Sequence, residues 1–224
     1  MIKVAIVLLS GGMDSATALY WAKAKGYDCH CLVFDYGQRH RKEIASAKAV
    51  AKAAGFTWQI IAIRLGWDGG SSLLDESQKL PSHPLKQIGR KGIPCTYVPG
   101  RNTLFLAYAI SAADALGAEA IVAGPNALDY SGYPDCRPAF YRAMRQAARL
   151  GTKRGSEGQS LDILTPLIHL SKAQIAKLGQ KLGVPWRLTW SCYAGARRPC
   201  EYCDSCKLRA KGFQEAGLKD SLLR

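Results

Sequence analysis

The first part of the chain alternates apolar runs with amphipathic stretches. Lys3 to Leu9 is a continuous apolar run that ends at a glycine pair, which predicts a strand buried on both faces. Residues 13–25 and 43–54 carry apolar residues at helical spacing, and residues 28–34 and 57–63 form two further apolar runs. This order predicts an α/β fold, a Rossmann-like open parallel sheet with helices on both faces.

The regular alternation stops at residues 64–96, which contain several Gly, Ser and Pro residues. A segment of this length inside a compact domain predicts a lid or a mobile insertion. Further elements are predicted beyond it: helices over 102–116, 138–150 and 171–182, and a strand over 119–123. Ser171 is expected to cap the last of these helices.

Half of the eight cysteines lie together near the end of the chain, at Cys192, Cys200, Cys203 and Cys206. Zinc favours four tetrahedral thiolates, and a closed shell leaves no position for water, so we predict a structural zinc site. An iron–sulfur cluster is the alternative. We therefore divide the chain into a nucleotide-binding α/β domain over 1–189 and a small zinc-binding subdomain over 190–224.

The other cysteines and the overall composition suggest an ordinary globular protein. Cys29 and Cys31 alternate on a predicted strand and are expected to be small buried side chains. No apolar run approaches the roughly 20 residues that cross a bilayer. The apolar start lacks the features of a signal peptide, so we expect a cytoplasmic protein with no membrane contact. The net charge of +14 favours an anionic partner, such as a nucleotide, a nucleic acid or an acidic protein.

The strongest local motif is SGGMDS, at the junction of the first strand and the first helix. Glycines let successive N–H groups point into one concavity, and the helix N-terminus adds partial positive charge, so the motif predicts phosphate binding. The hydroxyls of Ser10 and Ser15 are expected to donate to phosphate oxygens, and Asp14 to hold magnesium. The predicted ATP-binding residues here are Leu8, Leu9, Ser10, Gly11, Gly12, Met13, Asp14 and Ser15. A Walker-type loop with its lysine is absent from the sequence.

SGGMDS resembles the signature of the N-type ATP pyrophosphatases, the PP-loop superfamily, and this implies adenylation with release of pyrophosphate. Four more stretches sharpen the resemblance: FDYGQRHRKE at 34–43, YVPGRN at 97–102, GPNALDYSGYPDCR at 124–137, and the cysteine-bearing stretch at 191–213. In this order they make the chain similar to the 7-cyano-7-deazaguanine synthase (QueC) family over nearly its whole length.

The resemblance implies an AMP-forming C–N ligase of the queuosine pathway. Members of the family convert 7-carboxy-7-deazaguanine and ammonia to the nitrile with two ATP, through adenylated carboxylate and amide intermediates. It also implies a homodimer, a structural zinc ion and ATP with magnesium. Catalysis would then depend on positioning and charge stabilisation.

Further site residues are expected in the motifs that carry this resemblance. Asp14, Arg101 and Lys172 are the predicted catalytic residues, with a surface salt bridge for Arg101 and a solvated helix lysine as the alternatives. The additional predicted ATP-binding residues are Phe34, Asp35, Tyr36, Arg101 and Asn102. The predicted deazaguanine-binding residues are Asn126, Asp129, Tyr130, Tyr133 and Asp135. His40 is a candidate for approaching the nucleotide.

Other functions stay open at the level of sequence. A QueC-like enzyme that stops at the amide, or attaches the deazaguanine to a protein, would suit the basic charge. A PP-loop enzyme that modifies tRNA is a third possibility, although no separate RNA-binding module is present in the sequence. A zinc-stabilised binding module without turnover is the non-enzymatic alternative.

Overall fold

A computed structural model describes residues 3–65, 70–89, 92–127, 132–159 and 161–223. Within these ranges the chain forms a five-stranded parallel sheet with strand order β3-β2-β1-β4-β5. The strands are β1 (Lys3–Leu8), β2 (Tyr27–Asp35), β3 (Thr57–Ala62), β4 (Ala120–Val122) and β5 (Asp162–Leu164). The predicted open parallel sheet is confirmed.

Helices cover both faces of this sheet. They are α1 (Met13–Ala24), α2 (Lys42–Ala54), α3 (Arg101–Leu116), α4 (Pro138–Gly151), α5 (Lys153–Ser156), α6 (Lys172–Lys181) and α7 (Asp204–Ala216). Short 3-10 turns lie at Leu85–Gln87, Pro134–Cys136 and Trp186–Leu188. One core layer contains side chains of α1, α2, α6 and α7, and the other contains side chains of α3 and α4. None of the helices in the described ranges has the length and apolar content that a bilayer crossing requires.

The residues of β1 alternate between the two core layers. Ala5 and Val7 pack into the layer of α1, while Ile6 packs into the layer of α3, and all three are fully buried. This explains why β1 is a continuous apolar run rather than an alternating one. Cys29 and Cys31 of β2 are buried in the first layer, as predicted. Burial raises the pKa of Cys29 to about 12 and raises that of Cys31 too, so neither thiol is reactive.

Three elements, α5, β5 and α7, were not predicted from the sequence. α5 is a single turn of four residues in a Gly-rich connection. β5 contains three residues, which is too short for a periodic pattern. α7 begins at Asp204, inside the cysteine cluster, where the Cys, Lys and Arg content hides its helical period. The predicted cap of α6 is confirmed, because Ser171 Oγ accepts from Gln174 N at 3.3 Å and Gln174 Oε1 accepts from Ser171 N at 2.8 Å. The division of the chain at residue 190 stays a prediction.

Candidate functional site

The SGGMDS motif forms a tight loop between β1 and α1. Gly11 has φ +86°, and a Cβ there would lie 2.5 Å from both Ala47 N and Glu43 O, which belong to α2. A side chain is therefore excluded at Gly11 by the backbone angle and by the close approach of α2. The carbonyl of Gly11 accepts from the N–H of Trp190 at 2.8 Å, which ties the loop to the C-terminal part of the chain.

Hydrogen bonds between its two serines fix the shape of this loop. The hydroxyls of Ser10 and Ser15 lie 3.0 Å apart, and Ser15 Oγ accepts from Ser10 N at 3.2 Å. Ser10 Oγ also accepts from Gly12 N at 3.3 Å. The first turn of α1 adds N–H groups that have no partner within the helix. This arrangement is suited to an anion.

Lys172 and Asp14 form an ion pair beside the phosphate loop. Lys172 is the first residue of α6, and its Nζ contacts Asp14 Oδ2. The Lys172 side chain is 7% exposed, so the alternative of a solvated helix lysine is wrong. The second oxygen of Asp14, Oδ1, is buried and accepts no hydrogen bond from the described residues. A buried oxygen of this kind is available to a ligand.

The loop opens into a cavity of about 280 Å³ at the carboxyl ends of β1, β2 and β4. Ligands bind at this edge in open α/β sheets. Most of the predicted site residues line it: Leu8, Leu9, Ser10, Gly12, Met13, Asp14, Ser15, Phe34, Tyr36, Arg101, Asn102, Asn126, Tyr133 and Lys172. The fold thus brings together residues from five separate stretches of the sequence.

Arg101 lies in this cavity at the start of α3. Its Nη1 donates to the Tyr36 hydroxyl at 3.1 Å, and its guanidinium carbon lies 5.6 Å from the centre of the Tyr36 ring. Arg101 Nε is buried and donates to none of the described residues. The alternative of a surface salt bridge for Arg101 is wrong. On the same wall, Phe34 stacks on Phe105 with ring centroids 4.0 Å apart.

Asn102 and Asp135 are linked next to Arg101. The backbone N of Asn102 donates to Asp135 Oδ2 at 3.4 Å, and its side-chain amide donates to the Asp135 carbonyl at 3.2 Å. The other carboxylate oxygen of Asp135 is buried and has no hydrogen-bond partner among the described residues. Burial raises the pKa of Asp135, and Arg101 partly offsets the rise. Asp129 and Tyr130 lie outside the described residues.

Three predicted site residues, Gly11, Asp35 and Asp135, do not line the cavity, whereas Asn126 and Tyr133 do. Asp35 Oδ2 accepts from Arg41 at 2.7 Å and does not line the cavity wall. The Asn126 side chain is buried and donates to the carbonyl of Leu170. The Tyr133 hydroxyl contacts that of Thr96.

The four clustered cysteines converge behind the phosphate loop. Their sulfur atoms all lie within 4.8 Å of one another, and each cysteine is a free thiol. Backbone N–H groups of Ala194 and Cys200 donate to Cys192 Sγ at 3.4 and 3.3 Å. Hydrogen bonds from the Cys203 and Cys206 thiols, followed by these N–H groups, lower the pKa of Cys192. The cluster thus has the spacing and the thiolate-stabilising donors of a metal site.

Comparisons with known proteins agree with this geometry. The profile of a family described as "Queuosine biosynthesis protein QueC" matches residues 4–217. The chain belongs to the QueC family. It is 52% identical over 219 residues to a 7-cyano-7-deazaguanine synthase of Nostoc sp. (strain PCC 7120 / SAG 25.82 / UTEX 2576), covering 97% of this chain and 96% of the relative. It is 50% identical over 218 residues to a protein of the same name from Anaeromyxobacter dehalogenans (strain 2CP-C), covering 96% of this chain and 93% of the relative.

The fold of this QueC-family chain is also similar to that of a crystal structure of a 4-thiouridine synthetase in complex with RNA and with bound ATP. The TM-score is 0.50 at 17% identity, and the match covers 96% of this chain and 50% of that chain. This likeness concerns the fold alone.

Several residues of the cavity were not predicted from the sequence. In this QueC-family chain Ser191, Tyr193, Ser205 and Arg209 line the wall, and all four belong to the cysteine-bearing segment. His40, the candidate for approaching the nucleotide, lines the cavity too, and its Nε2 lies 3.3 Å from a carboxylate oxygen of Glu43. No local pattern marks Ser205 and Arg209, because the packing of α7 against α6 brings them to the cavity.

The segment expected to be a lid or an insertion is attached to this wall. Asp204 accepts from the backbone N of His83 at 2.6 Å and contacts its Nδ1 at 2.7 Å. Lys207 donates to the carbonyl of His83 at 2.8 Å. Arg39, which lies before the segment in the chain, donates to the carbonyl of Gln78 within it at 3.0 Å. Leu73 of the same segment lines the cavity. Hydrogen bonds from Arg39 and from the cysteine-bearing segment thus hold the described part of residues 64–96 beside the cavity.

Proposed function

We propose that this chain converts 7-carboxy-7-deazaguanine and ammonia to 7-cyano-7-deazaguanine, using ATP for both steps. Membership of the QueC family and relatives named 7-cyano-7-deazaguanine synthase support the substrate. The observation that carries the proposal is the hydrogen-bonded SGGMDS loop with the ion pair of the buried Lys172 and Asp14 beside it. Because ATP is needed and every cysteine of the described chain is free, we also propose a cytoplasmic location.

In the proposed reaction the loop holds the β- and γ-phosphates of ATP and leaves the α-phosphate open to attack. A substrate carboxylate oxygen bonds to the α-phosphorus, and the bond to the bridging oxygen breaks with pyrophosphate as the leaving group. Ammonia then displaces AMP from the acyl carbon and gives the amide. The amide oxygen then bonds to the α-phosphorus of a second ATP, with pyrophosphate as the leaving group. The C–O bond to AMP breaks, the amide nitrogen gives up both of its protons, and the nitrile remains.

Charge stabilisation is the main task of the side chains in this scheme. Lys172 and Arg101 both line the cavity, where Lys172 is buried and Arg101 is half-buried. Cations fixed in such a site stabilise the charge that develops on transferred phosphoryl oxygens without reorganising. Neither residue needs to act as a nucleophile, because adenylation itself supplies the leaving group.

Magnesium is the proposed companion of ATP at Asp14. The buried Asp14 Oδ1 accepts no hydrogen bond from the described residues, and magnesium prefers carboxylate and phosphate oxygens. When bound there, magnesium would neutralise phosphate charge. The pairing of the other oxygen with Lys172 fixes the direction in which Oδ1 points.

The deazaguanine is proposed to bind beside Asp135 and Tyr133. A guanine-like base offers N–H donors on one edge and a flat π face. The buried Asp135 Oδ1 accepts no hydrogen bond from the described residues. Asn102, whose backbone N donates to the other oxygen of Asp135, lines the cavity, and so does Tyr133. Asn126, and Asp129 and Tyr130 of the same loop, are proposed to complete this pocket.

Zinc is the metal proposed for the four cysteines. Tetrahedral zinc binds sulfur at about 2.3 Å, which separates the sulfur atoms by slightly less than about 4 Å. Sulfur atoms within 4.8 Å of one another, with Cys200 and Cys206 at 4.0 Å, fit that geometry after a small contraction. Elemental analysis should find about one zinc per chain. A coloured protein containing iron and sulfide would contradict this assignment.

The decisive test is product analysis by mass spectrometry with 7-carboxy-7-deazaguanine, ATP and ammonium. We expect the nitrile, with AMP and pyrophosphate released. Asp14→Asn and Ser15→Ala should abolish AMP release, whereas Ser156→Ala, on exposed α5, should not. Release of ADP and phosphate would contradict adenylation. An amide that accumulates without nitrile, or deazaguanine attached to protein, would favour the alternative acceptors.

We also propose that the chain forms a homodimer through α3. Every exposed residue of this helix is uncharged: Thr103, Leu104, Ala107, Tyr108, Ser111, Ala115 and Leu116. Two copies of a chain with net charge +14 repel each other least on such a face. Light scattering should report a dimer that Tyr108→Glu dissociates and Leu150→Glu, on exposed α4, does not. A monomer at all concentrations would contradict the proposal.

A further inference from the structure

Arg209 of α7 is a buried cation on the wall of the cavity. It is 3% exposed, and Asp220 holds it through two bonds, from Nε at 2.6 Å and from Nη2 at 2.9 Å. Nη2 also donates to the carbonyl of Trp186 at 3.3 Å, and Nη1 donates to Ser191 Oγ at 3.3 Å. These contacts fix the guanidinium plane in one orientation.

One N–H group of the Arg209 guanidinium takes no part in these bonds. A guanidinium carries five N–H donors. Four are used in the bonds to Asp220, Trp186 and Ser191, and the fifth, on Nη1, meets no acceptor among the described residues. Arg209 and Ser191, to which Nη1 donates, both line the cavity. A buried donor without an acceptor is costly unless a ligand or water satisfies it.

Two connections place Arg209 close to the phosphate loop. Ser205, Arg209 and Gly212 share one face of α7, and a Cβ at Gly212 would lie 2.7 Å from Lys172 Cβ. This face of α7 therefore packs directly on Lys172, whose Nζ contacts Asp14 of the loop. Ser191, which accepts from Arg209, follows Trp190, whose N–H bonds to Gly11 of the loop.

We propose that Arg209 binds the pyrophosphate portion of ATP, and that Asp220 is the residue that positions it. The inference rests on the proposed adenylation. When the bond between the α-phosphorus and the bridging oxygen breaks, its electron pair stays with pyrophosphate, whose charge increases. Lys172 is already paired with Asp14, so a second fixed cation is needed on this side of the cavity. The Nη1 N–H of Arg209 donates to an oxygen of this leaving group.

The test is calorimetric titration of inorganic pyrophosphate with magnesium, and of AMP, into the full-length protein. Arg209→Lys keeps the positive charge but loses the planar set of guanidinium N–H donors. We expect pyrophosphate binding on the order of tenfold weaker and AMP binding unchanged. Asp220→Asn should weaken pyrophosphate binding and raise the KM for ATP more than it lowers kcat. Lys211→Ala removes a partly exposed charge from the same helix, where Lys211 pairs with Glu215 at 3.7 Å, and should change neither affinity.

A double variant tests the proposal even if a single substitution in the buried ion pair prevents folding. Arg209→Met combined with Asp220→Leu removes both partners of the buried pair, and such replacements are often neutral for stability. This double variant should stay folded and bind pyrophosphate at least tenfold more weakly. Wild-type affinity for pyrophosphate in Arg209→Lys and in the double variant would overturn the inference while leaving the adenylation proposal standing. A wild-type protein that binds no pyrophosphate would overturn both.

Discussion

Gly11→Ala should damage the protein for a reason that is specific to the phosphate loop. At φ +86° any side chain costs about 1–2 kcal/mol, because Cβ comes too close to the following carbonyl. The added Cβ would also lie 2.5 Å from Ala47 N and Glu43 O, which are backbone atoms of α2. Relieving that contact requires a shift of the helix, and overpacking of this kind costs about 1–3 kcal/mol more. The expected loss of unfolding free energy is therefore about 2–5 kcal/mol.

Gly26→Ala is the matched control for this experiment. Gly26 has a similar φ of +81°, but a Cβ there would meet nothing within 4 Å. Urea denaturation should therefore show a loss of only about 1–2 kcal/mol for Gly26→Ala. Pyrophosphate titration should show weakened binding for Gly11→Ala alone. Equal stability losses in the two variants would refute the reasoning, since backbone strain would then account for the whole effect.

Three further outcomes are expected. Burial raises the pKa of Asp135, so the folded state binds its proton more tightly than the unfolded chain, and stability falls as pH rises above the ordinary value of 3.8. Asp135→Asn should therefore be more stable than wild type in urea at pH 7 but not at pH 4, and should bind the deazaguanine about tenfold more weakly. Asp204→Ala should speed amide hydrogen exchange at residues 81–83, whereas Glu76→Gln, on the exposed part of the same segment, should not. Removal of the cysteine-bound metal should weaken pyrophosphate binding.

The parts of the site that the sequence predicted are those encoded locally. β1, the SGGMDS loop and the start of α1 follow one another in the chain. The apolar run predicts the buried strand, and the glycines and hydroxyls predict the phosphate loop. The same holds for the four cysteines, whose spacing confines them to one place. In each case a few adjacent residues determine the geometry.

The parts that escaped prediction depend on contacts between distant segments. Lys172 and Asp14 are 158 positions apart in the chain, and no sequence pattern near either residue predicts that they form an ion pair. Arg209 reaches the cavity only because α7 packs on α6, and α7 itself was hidden by its charged composition. Arg101, too, is half-buried in the cavity, where it bonds to Tyr36, which follows β2.

These distant contacts explain why metal removal should affect the nucleotide site, although none of the four clustered cysteines lines the cavity. Cys203 caps the start of α7, which carries Arg209, and Trp190 packs in the cysteine cluster while its N–H bonds to Gly11 of the phosphate loop. A segment this short folds largely through its metal, so without it both connections lose their support. Chelation should therefore lower pyrophosphate affinity together with protection of α7 amides from exchange, and zinc should restore both. Metal-free protein that exchanges α7 amides rapidly but binds pyrophosphate with full affinity would contradict this expectation. The cysteine-bearing segment would then have no part in pyrophosphate binding.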